Sequence, residues 1–107
     1  MALAKGLELI RQGEFFTAHE ALEEAWREAP TEERDFLQGL VHVAVAWYQA
    51  GRGNKVGCVR QLEKAQRRLA PYAPSHRGVE IAALLPQLAA VEALVTAGSL
   101  ELPPPRL

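Results

Sequence analysis

The chain of 107 residues holds one cysteine, Cys58. An internal disulfide is therefore excluded, and a zinc site has no second thiolate to draw on. A lone thiol suits a reducing cytosol. There is no surplus of charge: the formal net charge is −1, so no global field draws the chain toward nucleic acid or a membrane surface. No apolar run approaches the roughly 18 residues that a membrane span requires. The opening "MALAKGLELIRQGE" carries Glu8 and Arg11 inside its apolar periodicity, so it does not read as a secretory signal. Asparagine occurs once and lysine three times against nine arginines. That pattern fits a GC-rich genome or a hot habitat and says nothing of activity.

Strand alternation is missing as well. Valine, isoleucine, threonine and the aromatic residues never alternate with polar ones over a strand length. Apolar residues instead recur at spacings of three and four. With 49 % apolar and 23 % charged residues, the reading is an all-α chain with a single core. Helices are expected over about 2–12, 14–28, 31–50, 55–69 and 81–97. Gly13 closes the first, Pro30 stops the second, Thr31 caps the third, and "GRGN" turns the chain into the fourth. "FLQGLVHVAVAWY" is apolar on nearly every side, so the third helix should be central. Pro86 belongs either to the first turn of the fifth helix or to a kink. The expected architecture is a compact bundle of about five helices: two antiparallel hairpins plus a C-terminal helix. Residues 1–100 form the domain, and 101–107 a flexible proline-rich tail.

An internal repeat runs at an offset of 40: Gly13 meets Gly53, Leu22 meets Leu62, Ala25 meets Ala65 and Arg27 meets Arg67. Gly13, Ala18, Ala25 and Pro30 stand where a tetratricopeptide repeat has its glycine, alanines and proline. Small residues let paired helices close at short distance. Cys58 falls opposite Ala18 and reads as a small packing residue.

Chemistry concentrates in "FFTAHEALEEAW". On a wheel of ~100° per residue, His19 lies within the apolar face beside Phe15, Leu22 and Trp26. Glu23 sits at the border of that face, one turn from His19, while Glu20 and Glu24 lie nearer solvent. Asp35, Gln38, His42 and Gln49 form one polar stripe on the third helix. Either the stripe is the solvent edge of a buried helix, or it turns toward His19 and Glu23 as a network between helices 2 and 3. In the structural reading His19→Ala costs roughly 1–3 kcal/mol, and Trp26 and Trp47 are both largely buried.

The same residues suggest a metal-dependent hydrolase as the alternative, with His19, Glu23 and His42 as ligands. His-Glu-x-x-Glu departs from the zinc-protease motif at Glu23, where that motif has its second histidine. No cofactor is expected beyond that divalent ion. Ser75, His76 and Ser99 build no triad, and "GRGN" lacks the Gly-Lys-Ser/Thr of a phosphate loop.

Charge is unevenly placed. Residues 1–35 carry nine acids and four bases, and residues 52–77 carry seven bases and one acid. Arg60, Lys64, Arg67 and Arg68 line one side of the fourth helix. They form either a solvated face or a patch for RNA or an acidic partner. No aromatic residue interleaves them, which counts against single-strand binding.

The order of motifs resembles the family known as domain of unknown function 309. Its pattern is a glycine–aromatic lead, His-Glu-x-x-Glu-x-x-Trp, Phe-x-Gln-Gly-Leu and Gly-Asn-x-x-Gly. It falls here on Gly13, Phe16, His19, Glu20, Glu23, Trp26, Phe36, Gln38, Gly39, Leu40, Gly53, Asn54 and Gly57. Cys58 stands where the family usually has alanine. The resemblance covers about residues 3–70 and implies a compact helical domain with no assigned activity. The resulting expectation is a cytoplasmic, non-enzymatic binding or scaffold module, acting on a protein partner or on a second copy of itself.

Overall fold

A computed structural model describes residues 2–107. Residue 1, the start of the expected domain, lies outside the described residues. Five α-helices follow in order: α1 (Ala2–Arg11), α2 (Phe15–Glu28), α3 (Thr31–Gly51), α4 (Lys55–Leu69) and α5 (Ile81–Thr96). A 3-10 turn, Ala70–Tyr72, extends α4, and no strand is present among the described residues. The all-helical class and the helix order agree with the periodicity of the sequence.

The hairpin turns come from glycine chemistry. Gly13 and Gly53 sit at φ of +79° and +77°, a region that side chains disfavour. At each, two backbone bonds close the preceding helix: Gly13 N–H to Ile10 O and Glu14 N–H to Leu9 O, then Gly53 N–H to Ala50 O and Asn54 N–H to Gln49 O. The side chain of Asn54 then accepts from the Gly57 amide at 2.9 Å and starts α4. Pro30, not Thr31, occupies the N-cap of α3, and no side chain caps that end. The acids Glu32 and Glu33 complement the helix dipole there. Pro86 lies inside α5.

Helix α3 packs against both α2 and α4, while α1 closes on α2 and α5 on α4. Its Phe36, Leu40, Val43, Ala44 and Ala46 are wholly buried, as their near-continuous apolar run implies. Leu22 of α2, Leu62 and Leu69 of α4, and Ile81, Leu84 and Leu88 of α5 complete the core. Each such side chain contributes about 1.5–3 kcal/mol on leaving water. Close approach depends on small residues: Ala18, Cys58 and Ala65 are fully buried. A Cβ on Gly39 would meet Leu69 Cγ at 2.6 Å, so α3 and α4 touch with no room for alanine at that crossing.

One expectation is refined here and one is corrected. Trp47 is buried, but Trp26 is only half-buried, with the Arg34 guanidinium 5.1 Å above its ring. A long cationic side chain covers apolar surface that the wheel assigns to the core. The proline-rich tail, read from composition as frayed, lies against the bundle. Pro105 is buried, and Leu102 and Leu107 pack on the core. Composition measures how little a segment gains by folding alone; it does not register a groove that receives it.

Candidate binding groove and its neighbouring clusters

His19 makes both of its hydrogen bonds within α2. Its Nδ1 lies 2.8 Å from the Phe16 carbonyl, and its Nε2 lies 2.8 Å from Glu23 Oε1. Both partners are acceptors, so the two bonds form together only when both ring nitrogens carry hydrogen. The His19 ring also meets that of Phe16 at 5.0 Å. Phe16 reaches Tyr48 of α3 at 5.3 Å and remains 50 % exposed. Arg52 donates to the Tyr48 hydroxyl at 3.1 Å. The motif face of α2 is thus a surface feature resting on the start of the α3–α4 turn. Glu20 is exposed beside it.

The polar stripe of α3 turns toward α4. Asp35 accepts from Arg68 Nη1 at 2.7 Å, and Gln49 accepts from Asn54 at 3.1 Å. His42, buried at 7 % exposure, bonds Gln61 Oε1 through Nδ1 at 2.6 Å. The amide oxygen accepts, which places the hydrogen on Nδ1 and leaves Nε2 buried without a partner. Burial pushes the His42 pKa down; the Gln61 bond opposes this, and the charges of Arg68, Lys64 and Arg67 add to it. Among the described residues, no hydrogen bond joins His19 or Glu23 to Asp35, Gln38 or His42. The expected network between α2 and α3 is divided into one bonded pair on α2 and a set of bonds between α3 and α4. Gln61 and Arg68 of α4 reach the stripe, whereas His19 and Glu23, one turn apart on α2, satisfy each other.

Between these parts runs a groove of about 560 Å³ lined by Glu23 and Trp26 of α2, Thr31, Arg34, Asp35 and Gln38 of α3, and Arg68 of α4. Glu23, Trp26 and Gln38, residues of the family pattern, meet there although they come from two helices. The groove is open and mixed in character, with the Arg34-covered indole at its wall.

Among the described residues, no three His, Cys, Asp or Glu side chains gather closely enough to hold a metal ion. His19, Glu23 and His42 do not come together: two serve each other on α2, and the third is turned to α4. Cys58 is buried, and burial raises its thiol pKa, which makes it a poor nucleophile. Arg60, Lys64 and Arg67 are exposed and make no ion pair among the described residues. Arg68 leaves that patch to pair with Asp35.

The best-built polar cluster lies where the sequence shows only loop. His76 donates from Nε2 to Glu33 at 2.9 Å, and Arg77 Nε donates to the same oxygen at 2.9 Å. The His76 ring stands edge-on to Phe36 at 4.6 Å and lies 4.8 Å from Tyr72, whose hydroxyl donates to the Glu32 carbonyl. The bond from His76 holds the Glu33 carboxyl below its usual range, burial opposes this, and Arg77 strengthens it. Mutual backbone bonds between His76 and Val79 close a tight turn through Arg77 and Gly78, both at positive φ. Arg-Gly ahead of an apolar residue is the signal that could mark this turn, but nothing in it points to Glu33, 43 residues away.

Comparison with known proteins adds family, not activity. The family model described as Domain of unknown function (DUF309) matches residues 3–61. A segment of 68 residues is 37 % identical to the uncharacterized protein YpuF of Bacillus subtilis (strain 168). That segment is 63 % of this chain and 37 % of the relative, so the chain spans little more than a third of the relative's length. No solved structure matches. No helix among the described residues is long and apolar enough to cross a membrane.

Proposed function

The chain belongs to the family of Domain of unknown function (DUF309), and we propose that it is a non-enzymatic binding module that holds a protein partner in the α2–α3–α4 groove. The observation that carries this reading is the meeting of Glu23, Trp26 and Gln38 in one open groove. Residues needed only for packing would be buried with their bonds satisfied within the core. These three instead line an open surface groove together with Arg34 and Arg68, and tryptophan and arginine are residue types that protein interfaces favour. Phe16 extends the same side of α2 with half of its surface exposed. The reading puts the protein in the cytoplasm, where the lone thiol of Cys58 stays reduced.

The test is site-specific photocrosslinking in cells. A photoreactive residue replaces Gln38 in the groove or, as a control, Ala89 on the exposed face of α5. A discrete protein adduct is expected at position 38, absent at 89, and lost when Glu23→Arg is added. No adduct at 38, or equal adducts at both positions, contradicts the reading.

A second reading rests on Arg60, Lys64 and Arg67, exposed and unpaired among the described residues. A spare cationic face of this kind suits RNA phosphates or an acidic protein surface. RNA binding there would weaken steeply as salt rises and vanish on reversal of Arg60 and Arg67. Absence of RNA binding at low salt removes this reading and leaves the groove untouched.

A further inference from the structure

The docked tail has the chemistry of a bound peptide. Trp47 of α3 donates its indole N–H to the Pro103 carbonyl at 3.1 Å. Gln87 of α5 grips one residue twice: its amide N–H₂ donates to the Arg106 carbonyl at 2.9 Å, and its oxygen accepts the Arg106 N–H at 2.8 Å. Pro105 between them is buried, while Pro103, Pro104 and Arg106 stay exposed. The tail is thus held by an indole, an amide fork, one inserted proline and, at its two ends, Leu102 and Leu107 against the core.

None of these contacts needs the tail to be covalently attached. The indole and amide bonds address backbone groups, and a carbonyl beside proline is a strong acceptor that no neighbouring amide competes for. Three successive prolines favour the extended polyproline conformation in advance, so little entropy is lost on docking. The site is separate from the α2–α3–α4 groove, because Gln87 and the apolar wall of Val91 and Leu94 belong to α5. Only residues 97–101 tether the tail to the end of α5.

We propose that the α3–α5 groove is a recognition site for proline-rich segments, that residues 102–107 are its tethered occupant, and that a Pro-Pro-Pro segment of a partner protein displaces them. Trp47 and Gln87 are the specificity-determining residues, reading the spacing between a proline carbonyl and a backbone amide pair three residues on. A short tether gives the cis occupant an effective concentration of about the millimolar range. The intact protein is thus masked until a local excess or a tighter segment arrives.

The experiment uses the full chain with Pro103→Asp and Pro105→Asp, and the synthetic peptide Glu-Leu-Pro-Pro-Pro-Arg-Leu as probe. The indole N–H resonance of Trp47 reports occupancy. It is expected to shift in the double variant and to return to its wild-type position as peptide saturates. Gln87→Ala in the same background weakens the peptide by about tenfold, the loss of two hydrogen bonds in free-energy terms. A peptide with alanine for each proline fails to restore the signal. An unshifted resonance in the double variant, no return at millimolar peptide, or equal action by the alanine peptide overturns the proposal. If the double variant unfolds, spin-labelled peptide in excess over wild-type protein decides the matter: broadening of the Trp47 indole signal supports the proposal, and none overturns it.

Discussion

His19 and His76 each meet a glutamate, at 2.8 Å on Glu23 and at 2.9 Å on Glu33. The first pair lies one turn apart on a single helix, and Glu23 is 45 % exposed. The second joins the loop after α4 to the first turn of α3, and Glu33 is only 14 % exposed. Arg77 gives Glu33 a second donor, and two aromatic rings enclose His76. An exposed pair on one helix restrains little beyond that helix. A pair that ties two distant segments, partly out of water, restrains the fold itself. Equal distances therefore do not imply equal energies. The carboxylate enclosed at His76 lies nearer the surface at His19.

The contrast can be broken by substitution. His76→Ala removes the Glu33 bond and both ring contacts, so a loss of roughly 2–4 kcal/mol is expected in urea unfolding. A smaller, pH-dependent effect is expected at the third histidine, His42. Because burial lowers the His42 pKa, the unfolded chain takes up a proton below its ordinary 6.5 while the folded ring does not. Stability due to His42 is complete above that value and falls as pH drops through it, with a slope of at most about 1.4 kcal/mol per pH unit. Glu33, also lowered, keeps its contribution above the ordinary 4.5 and loses it as pH falls further. Melts between pH 8 and pH 3 should show both windows, and His42→Leu should remove only the upper one.

His19→Ala comes next, at about 0.5–1 kcal/mol, because the pair is partly exposed and local. This revises the roughly 1–3 kcal/mol expected for a histidine buried on the wheel. Reversal of Arg60 and Arg67 comes last, within about 0.5 kcal/mol of the parent, since neither supports the core. Thermal melts of each variant check both.

Much of the architecture is legible in the sequence because it is written in short-range signals. Three-and-four spacing, Gly13, Gly53, Asn54 and Pro30 locate the helices and their turns without reference to anything distant. The apolar run of α3 identifies the central helix for the same reason. His19 and Glu23 stand out together because they are four residues apart. The wheel does not reveal that Trp26 is covered by Arg34 of the next helix in place of a core side chain. It also leaves the direction of the α3 stripe open, since Gln61 and Arg68 on α4 decide that. The Glu33–His76–Arg77 cluster and the docked tail escape the sequence altogether: each joins residues far apart in the chain, and neither leaves a periodic trace.

A double-mutant cycle in urea bears most directly on the central contrast, applied to His19 with Glu23 and to His76 with Glu33. The account predicts a coupling of about 1–3 kcal/mol for His76–Glu33 and less than about 0.5 kcal/mol for His19–Glu23. Equal couplings, or a larger one at His19–Glu23, would show that the α2 motif holds the fold together and is not free to meet a partner.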